Sequence, residues 1–391
     1  MKRTWLSIFL LLQSVPMICA ADVSQDLAGK GMAAFGRKNF DLAIGYFGQA
    51  IKANTNYLGA YFYRALSYLA QTQYDKSIAD LDRVLELNTN DADAYYFRGL
   101  CYANERKYGR CAADLDRALM FRTNSAILLL RADSYLFMTN CNDAIEDYNK
   151  AIQVNPEDAG GYIGRATAFN LESSFGLALQ DCNAALLINP RSASAYRKRG
   201  DAYRGEGEFD KALADYDEAI RLNPLNSSTY LSRAETHADQ EDYSNAVKDC
   251  NLYISSNPGD AQAYCDRGWY LTELGDYGAV IDDCKKAISL DPAFFWADNN
   301  LAWFLAVCPE SKFRNGRDAL KYALKACKLS QWKEPDCIDT LAAAYAEQGN
   351  FREAVKWEKK ALKGWSSKNR SEGEKALRLY EQGKPFRERP K

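Results

Sequence analysis

A period of 34 residues runs through most of the chain and constrains its fold more than any other feature. The prolines at one register of this period are Pro156, Pro190, Pro224, Pro258 and Pro292. Proline cannot continue a helix, so each of these residues ends a repeated element. Two short helices cannot bury their apolar faces alone, and each repeat therefore needs a similar neighbour on both sides.

Residues 193–226 show the pattern of one repeat most clearly. A first helix carries aromatic and small residues at helical spacing, a turn with Gly207 follows, and a second helix ends at Asn223-Pro224. The spacing resembles the tetratricopeptide repeat, whose pattern is W-x2-L-G-x2-Y, A-x3-F and P within 34 residues. The matching residues are Tyr196, Gly200, Tyr203, Ala212, Tyr216, Ala219 and Pro224.

The resemblance extends over ten repeats, which fill residues 24–362. They begin near Ser24, Leu58, Ala92, Ser125, Ala159, Ala193, Ser227, Ala261, Phe295 and Pro335. The resemblance implies an all-α fold, a right-handed α-solenoid of antiparallel helix-turn-helix repeats. Repeat 9 is irregular, because the stretch WFLAVCPESKFRNGRDA lengthens the turn between its helices with Pro309 and Gly316.

Residues 363–391 are expected to close the solenoid with a capping helix and a basic tail. Ser371 and Glu374 form a capping box, and Gly383 and Pro385 end the helix. The segment holds nine Lys or Arg and four Glu, a net charge of +5. A solvated cap is favoured over contact with an anionic surface.

Residues 1–21 have the pattern of a secretory signal peptide. Lys2 and Arg3 give a basic start, residues 5–12 are apolar, and residues 19–21 are small. The apolar stretch is too short for a stable membrane span. We therefore expect an exported protein, periplasmic or secreted, of a bacterial cell. An uncleaved anchor is the alternative.

Arginine replaces the leucine of the repeat pattern in repeats 2 to 8. The residues are Arg64, Arg98, Arg131, Arg165, Arg199, Arg233 and Arg267. Aspartates recur at the equivalent position of the second helices in the same repeats. They are Asp80, Asp114, Asp147, Asp181, Asp215, Asp249 and Asp283. An anion-binding track is one interpretation. We favour Arg–Asp pairs that clamp the packed helices, with the Arg stems buried beside aromatic rings.

The chain has 11 cysteines, and removal of Cys19 with the signal peptide leaves an even number. Cys182, Cys250 and Cys284 share the repeat position of Tyr216 and are predicted to be small buried thiols. Disulfides remain an alternative for the two pairs that flank a turn. These pairs are Cys101 with Cys111 and Cys327 with Cys337.

Enzyme motifs are absent from the sequence, since no P-loop, H-E-x-x-H or G-x-S-x-G pattern occurs. His237 is the only histidine, and its position in the repeat predicts a packed core residue. No C-x-x-C pair occurs, and we expect neither a metal nor a cofactor. The net charge of −2 gives no electrostatic case for nucleic acid.

A ligand groove is predicted on the first-helix faces opposite the packed ones. Its residues in repeats 2 to 4 are Tyr63, Tyr96, Phe97, Leu129, Leu130 and Phe137. Secondary charges that orient the ligand are Arg197, Lys198 and Arg204 of repeat 6. In repeats 7 and 8 the same helix faces carry Glu235, Asp239, Asp266, Trp269 and Glu273. The alternative is that some of these aromatic residues pack between tightly wound repeats.

The predicted function is a non-enzymatic scaffold that binds a protein or peptide in the concave groove. One alternative is an assembly factor of the cell envelope that contacts a membrane protein or an anionic surface through its basic tail. Binding of a polysaccharide to the aromatic residues is the less favoured alternative. The sequence does not set the oligomeric state.

Overall fold

The structure, a computed structural model, describes residues 23–365 and 370–388. Within these residues there are 21 α-helices, one short 3-10 helix at Ser311–Phe313 and no strand. The all-α prediction is confirmed, and consecutive helix pairs pack as a solenoid of repeats. The predicted signal peptide in residues 1–21 lies outside the described residues.

The chain divides into two compact halves, Met1–Ile188 and Asn189–Lys391. The N-terminal half contains repeats 1 to 5, each with a first and a second helix. Its helices are α1 Val23–Gly36, α2 Phe40–Ala53, α3 Leu58–Ala70, α4 Tyr74–Leu87, α5 Ala92–Asn104, α6 Tyr108–Phe121, α7 Ser125–Phe137, α8 Cys141–Val154, α9 Ala159–Leu171 and α10 Phe175–Ile188.

The C-terminal half contains repeats 6 to 10 and one further helix. Its helices are α11 Ala193–Gly205, α12 Phe209–Leu222, α13 Ser228–Asp239, α14 Tyr243–Ser256, α15 Ala261–Glu273, α16 Tyr277–Leu290, α17 Phe295–Val307, α18 Gly316–Leu329, α19 Pro335–Glu347, α20 Phe351–Gly364 and α21 Arg370–Glu381. The helix α21 is the predicted cap of the solenoid.

The turn inside each regular repeat has one residue with left-handed backbone, two positions before the second helix begins. In repeats 6, 8 and 10 it is glycine, for example Gly207 with φ of 78°. In the other regular repeats it carries a side chain, for example Thr72 with φ of 60°, at a cost of about 1 kcal/mol. Because the turn recurs, equivalent positions of the repeats share one register.

Glycine in the first helix lets the second helix pack closely. A Cβ atom at Gly200 would lie 2.7 Å from the ring of Tyr216, which is fully buried. The same relation joins Gly31 to Phe47 in repeat 1, at 2.6 Å. The aromatic side chain of the second helix therefore packs into the space left by the glycine of the first helix in the same repeat.

The cap α21 lies close to α20 because Gly373 has no side chain. A Cβ atom there would lie 2.4 Å from the ring of Trp365. The predicted capping box is wrong, since α21 begins at Arg370 and Ser371 lies inside it. Glu374 instead accepts a hydrogen bond from Arg370 Nε at 3.1 Å.

Two acids are buried beneath the cap, Asp339 of α19 and Glu358 of α20. The two carboxyl groups interact through a side-chain hydrogen bond when one of them carries a proton, and the hydroxyl of Tyr380 lies buried beside them. Burial, and next the carboxyl of Asp339, raise the pKa of Glu358 far above its ordinary range. Glu358 is therefore protonated at neutral pH.

Candidate ligand-binding cavity

The ladder of arginines forms bidentate ion pairs between the two helices of each repeat. In repeat 4, for example, Arg131 donates from Nε and Nη2 to the two carboxyl oxygens of Asp147, both at 2.6 Å. The pairs are Arg64–Asp80, Arg98–Asp114, Arg131–Asp147, Arg165–Asp181, Arg199–Asp215, Arg233–Asp249 and Arg267–Asp283. The structural interpretation of the ladder is confirmed.

A second acceptor for these arginines was missed from the sequence. Arg98 also donates from Nη1 to Asp82 at 2.6 Å, and Asp82 belongs to the second helix of the preceding repeat. Arg233 and Asp217 repeat this contact at 2.5 Å. Each such arginine therefore joins three helices of two repeats. With its donors engaged, the ladder is a poor anion-binding track.

Tyr96 and Phe97 of the predicted groove are buried, with exposed fractions of 8% and 2%. The ring of Phe97 packs edge-on against Phe62 of the preceding repeat, with centroids 5.7 Å apart. The prediction that both side chains are open to a ligand is wrong. Phe97 fills the interface between repeats 2 and 3, and the ring of Tyr96 packs edge-on against that of Phe97 with centroids 5.2 Å apart.

Tyr63, Leu129 and Leu130 are half-buried. Tyr63 stacks on Phe47 of repeat 1 with centroids 6.0 Å apart, and Leu130 packs against the core of repeats 2 and 3. Phe137 is 66% exposed and stacks on Tyr108 at 4.5 Å. The six residues therefore do not form one continuous exposed surface.

The predicted secondary charges are paired within the fold. Lys198 Nζ lies 3.3 Å and Arg197 Nη1 lies 3.6 Å from Oδ2 of Asp201. Arg204 donates to Asp239 at 2.6 Å and also to Glu235. A ligand that used these cations would have to replace an existing carboxylate partner.

A cavity of about 760 Å³ lies in the C-terminal half. The sequence predicted that Trp269 and Glu273 of its lining face a ligand, but it did not predict the cavity as a whole. We call it the C-terminal cavity. The first helices α15 and α17 and the second helix α16 line one side of it, and α21 with the residues after it lines the other. Its lining residues include Cys265, Trp269, Thr272, Glu273, Tyr277, Trp303, Lys375, Phe386, Arg387 and Glu388.

The lining positions of α15 explain part of the error in the predicted groove. Cys265, Trp269, Thr272 and Glu273 are the fifth, ninth, twelfth and thirteenth residues of repeat 8. By the same count Tyr96, Leu129, Phe137, Arg197 and Arg204 stand at lining positions, whereas Tyr63, Phe97, Leu130 and Lys198 are sixth residues. One residue rotates the side-chain direction by about 100°, which carries Tyr63 and Phe97 into the preceding repeat.

Aromatic side chains dominate the surface of the C-terminal cavity. Trp269 is 52% exposed and stands edge-on to Tyr243 and Tyr270, at 5.8 and 5.2 Å. Trp303 is half-buried in the next first helix. Burial raises the pKa of the Cys265 thiol to about 12, so this thiol is neutral and adds small apolar surface. Such rings supply large contact area at low entropic cost.

Charges of both signs surround these rings. Glu273, Glu372 and Glu388 are the acids of the cavity, and Lys375 and Arg387 are its bases. Arg387 is held by Glu347 of α19. The balance suits a ligand that carries both charges, such as a peptide, better than a polyanion.

The chain after α21 turns back onto α17. Gly383 has left-handed backbone with φ of 69°, and Lys384 N–H donates to Leu379 carbonyl oxygen at 2.9 Å. We call residues 384–388 the tail segment. Glu388 N–H donates to the carbonyl oxygen of Val307 at 3.1 Å, and Trp303 Nε1–H donates to the Glu388 carboxylate at 2.7 Å.

Neither a metal site nor a membrane span is found in residues 23–365 and 370–388. No group of three or more His, Cys, Asp or Glu side chains is placed to hold a metal ion there. None of the described helices is long and apolar enough to cross a membrane. The ten described cysteines are free thiols, including Cys101, Cys111, Cys327 and Cys337.

Models of the tetratricopeptide repeat family match along most of the described chain. One covers residues 62–126, 129–195 and 197–261, which is half of the chain. Two others, also described as tetratricopeptide repeat, match residues 261–294 and 336–367. The chain therefore belongs to the tetratricopeptide repeat family.

Solved structures that match this chain share little sequence with it. A tetratricopeptide repeat protein from Parabacteroides merdae is 18% identical with a TM-score of 0.53, over 62% of this chain and 96% of that one. YrrB, described as having an unusual peptide-binding site, is 22% identical with a TM-score of 0.40, over 47% and 95%. Yeast Tom70 is 15% identical with a TM-score of 0.41, over 92% and 96%. A search of curated proteins finds no match.

Proposed function

We propose that the protein is a non-enzymatic scaffold that binds an extended peptide segment of a partner protein in the C-terminal cavity. The observation that carries this proposal is the exposed ring of Trp269 in a cavity of about 760 Å³. Ligand sites commonly have volumes of about 300–1,000 Å³ and are lined by aromatic residues with a few polar groups. The fold itself is one that presents such surfaces.

An extended peptide fits the cavity better than a globular surface does. The lining positions recur along successive first helices, from Trp269 in α15 to Trp303 in α17. The tail segment, which has no regular secondary structure, already makes main-chain and side-chain hydrogen bonds at one end of this surface. The same groups can accept a peptide from another chain.

The test is a selection of random decapeptides on the full-length protein, followed by fluorescence anisotropy with the selected peptides. Trp269→Ala should weaken binding at least tenfold, since a buried tryptophan anchor typically contributes about 2 kcal/mol or more. Leu252→Ala is the control, because Leu252 is 47% exposed on the second helix α14. Equal binding by wild type and Trp269→Ala would place the ligand elsewhere.

We also propose that the protein acts after export from a bacterial cell, on the basis of the signal-like residues 1–21. Fractionation with an antibody and mass measurement of the mature N-terminus test this proposal. A full-length mass in the cytosol would contradict it. The alternative of an envelope factor that uses the basic tail is weakened, since Arg387 is engaged by Glu347 inside the fold.

A further inference from the structure

We propose that the tail segment is an intramolecular ligand, which a partner peptide must displace to occupy the whole surface of α17. It follows that the partner presents an aromatic residue, an arginine and a carboxylate in succession, as Phe386, Arg387 and Glu388 do. This inference rests on the proposed function. It adds the class of ligand and the way in which the chain itself regulates ligand binding.

The irregular turn of repeat 9 creates the main-chain part of the site. The last four carbonyl groups of a helix have no partner within it. In α17, Cys308 N–H bonds to Phe304 and Asn315 N–H to Leu305. The remaining two carbonyls, those of Ala306 and Val307, accept from the Arg387 guanidinium and the Glu388 N–H, both at 3.1 Å. An extended peptide can make both bonds.

The side chains of Phe386, Arg387 and Glu388 each contact the fold. The ring of Phe386 lies 6.0 Å from the ring of Trp303. Arg387 pairs with Glu347 at the end of α19, where Arg314 also lies 3.3 Å from the carboxylate. Glu388 accepts from Trp303 Nε1 at 2.7 Å. Three successive residues thus define a recognition pattern rather than a nonspecific apolar contact.

The tail segment can leave without unfolding the cap. The cap is held by Tyr380 and Ala376, which are 1% and 2% exposed, and by the close fit at Gly373. In the tail segment, by contrast, Lys384 is exposed and the other four residues are only half-buried. Segments with few buried apolar contacts open at the lowest free energy. Exchange of the tail segment for a ligand is therefore a local event.

Covalent attachment makes the tail segment an effective competitor. A short flexible tether gives an effective concentration in the millimolar range. A partner of similar intrinsic affinity is therefore outcompeted until its own segment binds more tightly or the tail is released. Loss of the tail contacts should raise the apparent affinity for a competing peptide at least tenfold.

The test uses the full-length chain and a fluorescein-labelled synthetic peptide with the sequence of residues 382–391. Anisotropy should show at least tenfold tighter binding to a chain with Phe386→Ala, Arg387→Ala and Glu388→Ala than to wild type. Lys384→Ala is the matched control, since it removes a tail cation that is exposed. It should bind as wild type does.

Hydrogen exchange of the wild-type chain gives a readout that does not depend on a variant. Excess unlabelled peptide should speed exchange of the Glu388 amide, whose bond to Val307 it replaces. Equal binding of the peptide to wild type and triple variant, with no change at Glu388, would overturn the inference. If selected decapeptides bind through Trp269 while the tail peptide binds no variant, only this inference is lost. If neither binds, the proposed function fails as well.

Discussion

Removal of Arg131 tests the energetic role of the arginine ladder. Its partner Asp147 has a side chain only 3% exposed, and the Arg131 side chain itself is 16% exposed. Arg131→Ala leaves the carboxylate buried without its cation. Breaking a buried pair in this way costs about 3–5 kcal/mol. Because the arginine is partly solvated, we expect the lower end, about 3 kcal/mol.

The second bond of Arg131 contributes less. Asp116 lies 2.5 Å from Arg131 Nη1, but its side chain is 55% exposed. Exposed pairs contribute about 0–1 kcal/mol, so Asp116→Ala should have a small effect. This variant is the matched control, since it removes one carboxylate from the same arginine without stranding a buried charge.

Native-state hydrogen exchange is the appropriate assay, because repeat arrays need not unfold in a two-state manner. In Arg131→Ala the protection of amides in α7 and α8 should fall roughly a hundredfold, which corresponds to about 3 kcal/mol. The change should be confined to repeats 3 to 5. A double-mutant cycle with Asp147→Ala should give a coupling energy above about 1 kcal/mol. Equal small effects of Arg131→Ala and Asp116→Ala, or no coupling, would refute the buried-pair account.

The remaining predictions concern the acids beneath the cap, the close contact within a repeat and the thiols. The folded state raises the pKa of Glu358 above its ordinary value of 4.5, so the folded chain holds a proton that the unfolded chain releases, and stability falls as the pH rises above that value. Glu358→Gln should therefore raise the melting temperature at pH 7 and flatten its decrease between pH 5 and 8; a lower melting temperature at pH 7 would contradict this. Gly200→Ala should destabilise repeat 6 by about 1–3 kcal/mol in denaturant titrations, because its Cβ meets the Tyr216 ring at 2.7 Å, whereas Gly259→Ala, with open space around it, should not. Reducing agent should leave the melting temperature unchanged, since the ten described cysteines are free thiols, and a large decrease would show a disulfide.

The repeat fold could be predicted because its signal recurs. The proline register, the Gly200–Tyr216 contact and the ladder each appear in several repeats, so chance matches average out. The ladder pairs were predicted because a side chain as costly to bury as arginine needs a fixed acid nearby. The second acceptor also recurs, two residues after a ladder aspartate, and could have been found from that spacing. It is an acid at Asp82, Asp116 and Asp217 and an amide at Asn149 and Asn251.

The ligand surface was harder to predict, because a shift of one residue along a helix rotates the side-chain direction by about 100° and so changes the face on which a residue lies. Tyr63 and Phe97 stand one position from the lining register and pack into the preceding repeat. Tyr96 stands in that register but is buried, with its ring packed edge-on against that of Phe97. Exposure depends on how tightly successive repeats pack, and local sequence does not specify that distance.

Trp269 and Glu273 of the C-terminal cavity were predicted to face a ligand, but the side formed by α21 and the tail segment was missed because it depends on contacts without a period. Trp303 and Glu388 are 85 residues apart in the chain, and their hydrogen bond belongs to no repeat. The sequence showed an irregular turn after α17 and a Gly-Lys-Pro stretch after the cap. Only the structure shows that the irregular turn leaves the carbonyl groups of Ala306 and Val307 without partners in the turn. Only the structure shows, too, that the Gly-Lys-Pro stretch brings the chain back to these two groups.

The most direct test of the central claim is hydrogen exchange of the full-length chain with and without a selected decapeptide. We predict slower exchange in Ala261–Glu273 and Phe295–Val307, the helices that carry Trp269 and Trp303, with little change in Tyr243–Ser256. Protection confined to Leu58–Ala70, Ala92–Asn104 and Ser125–Phe137 would contradict the account and return the ligand to the groove first predicted in repeats 2 to 4.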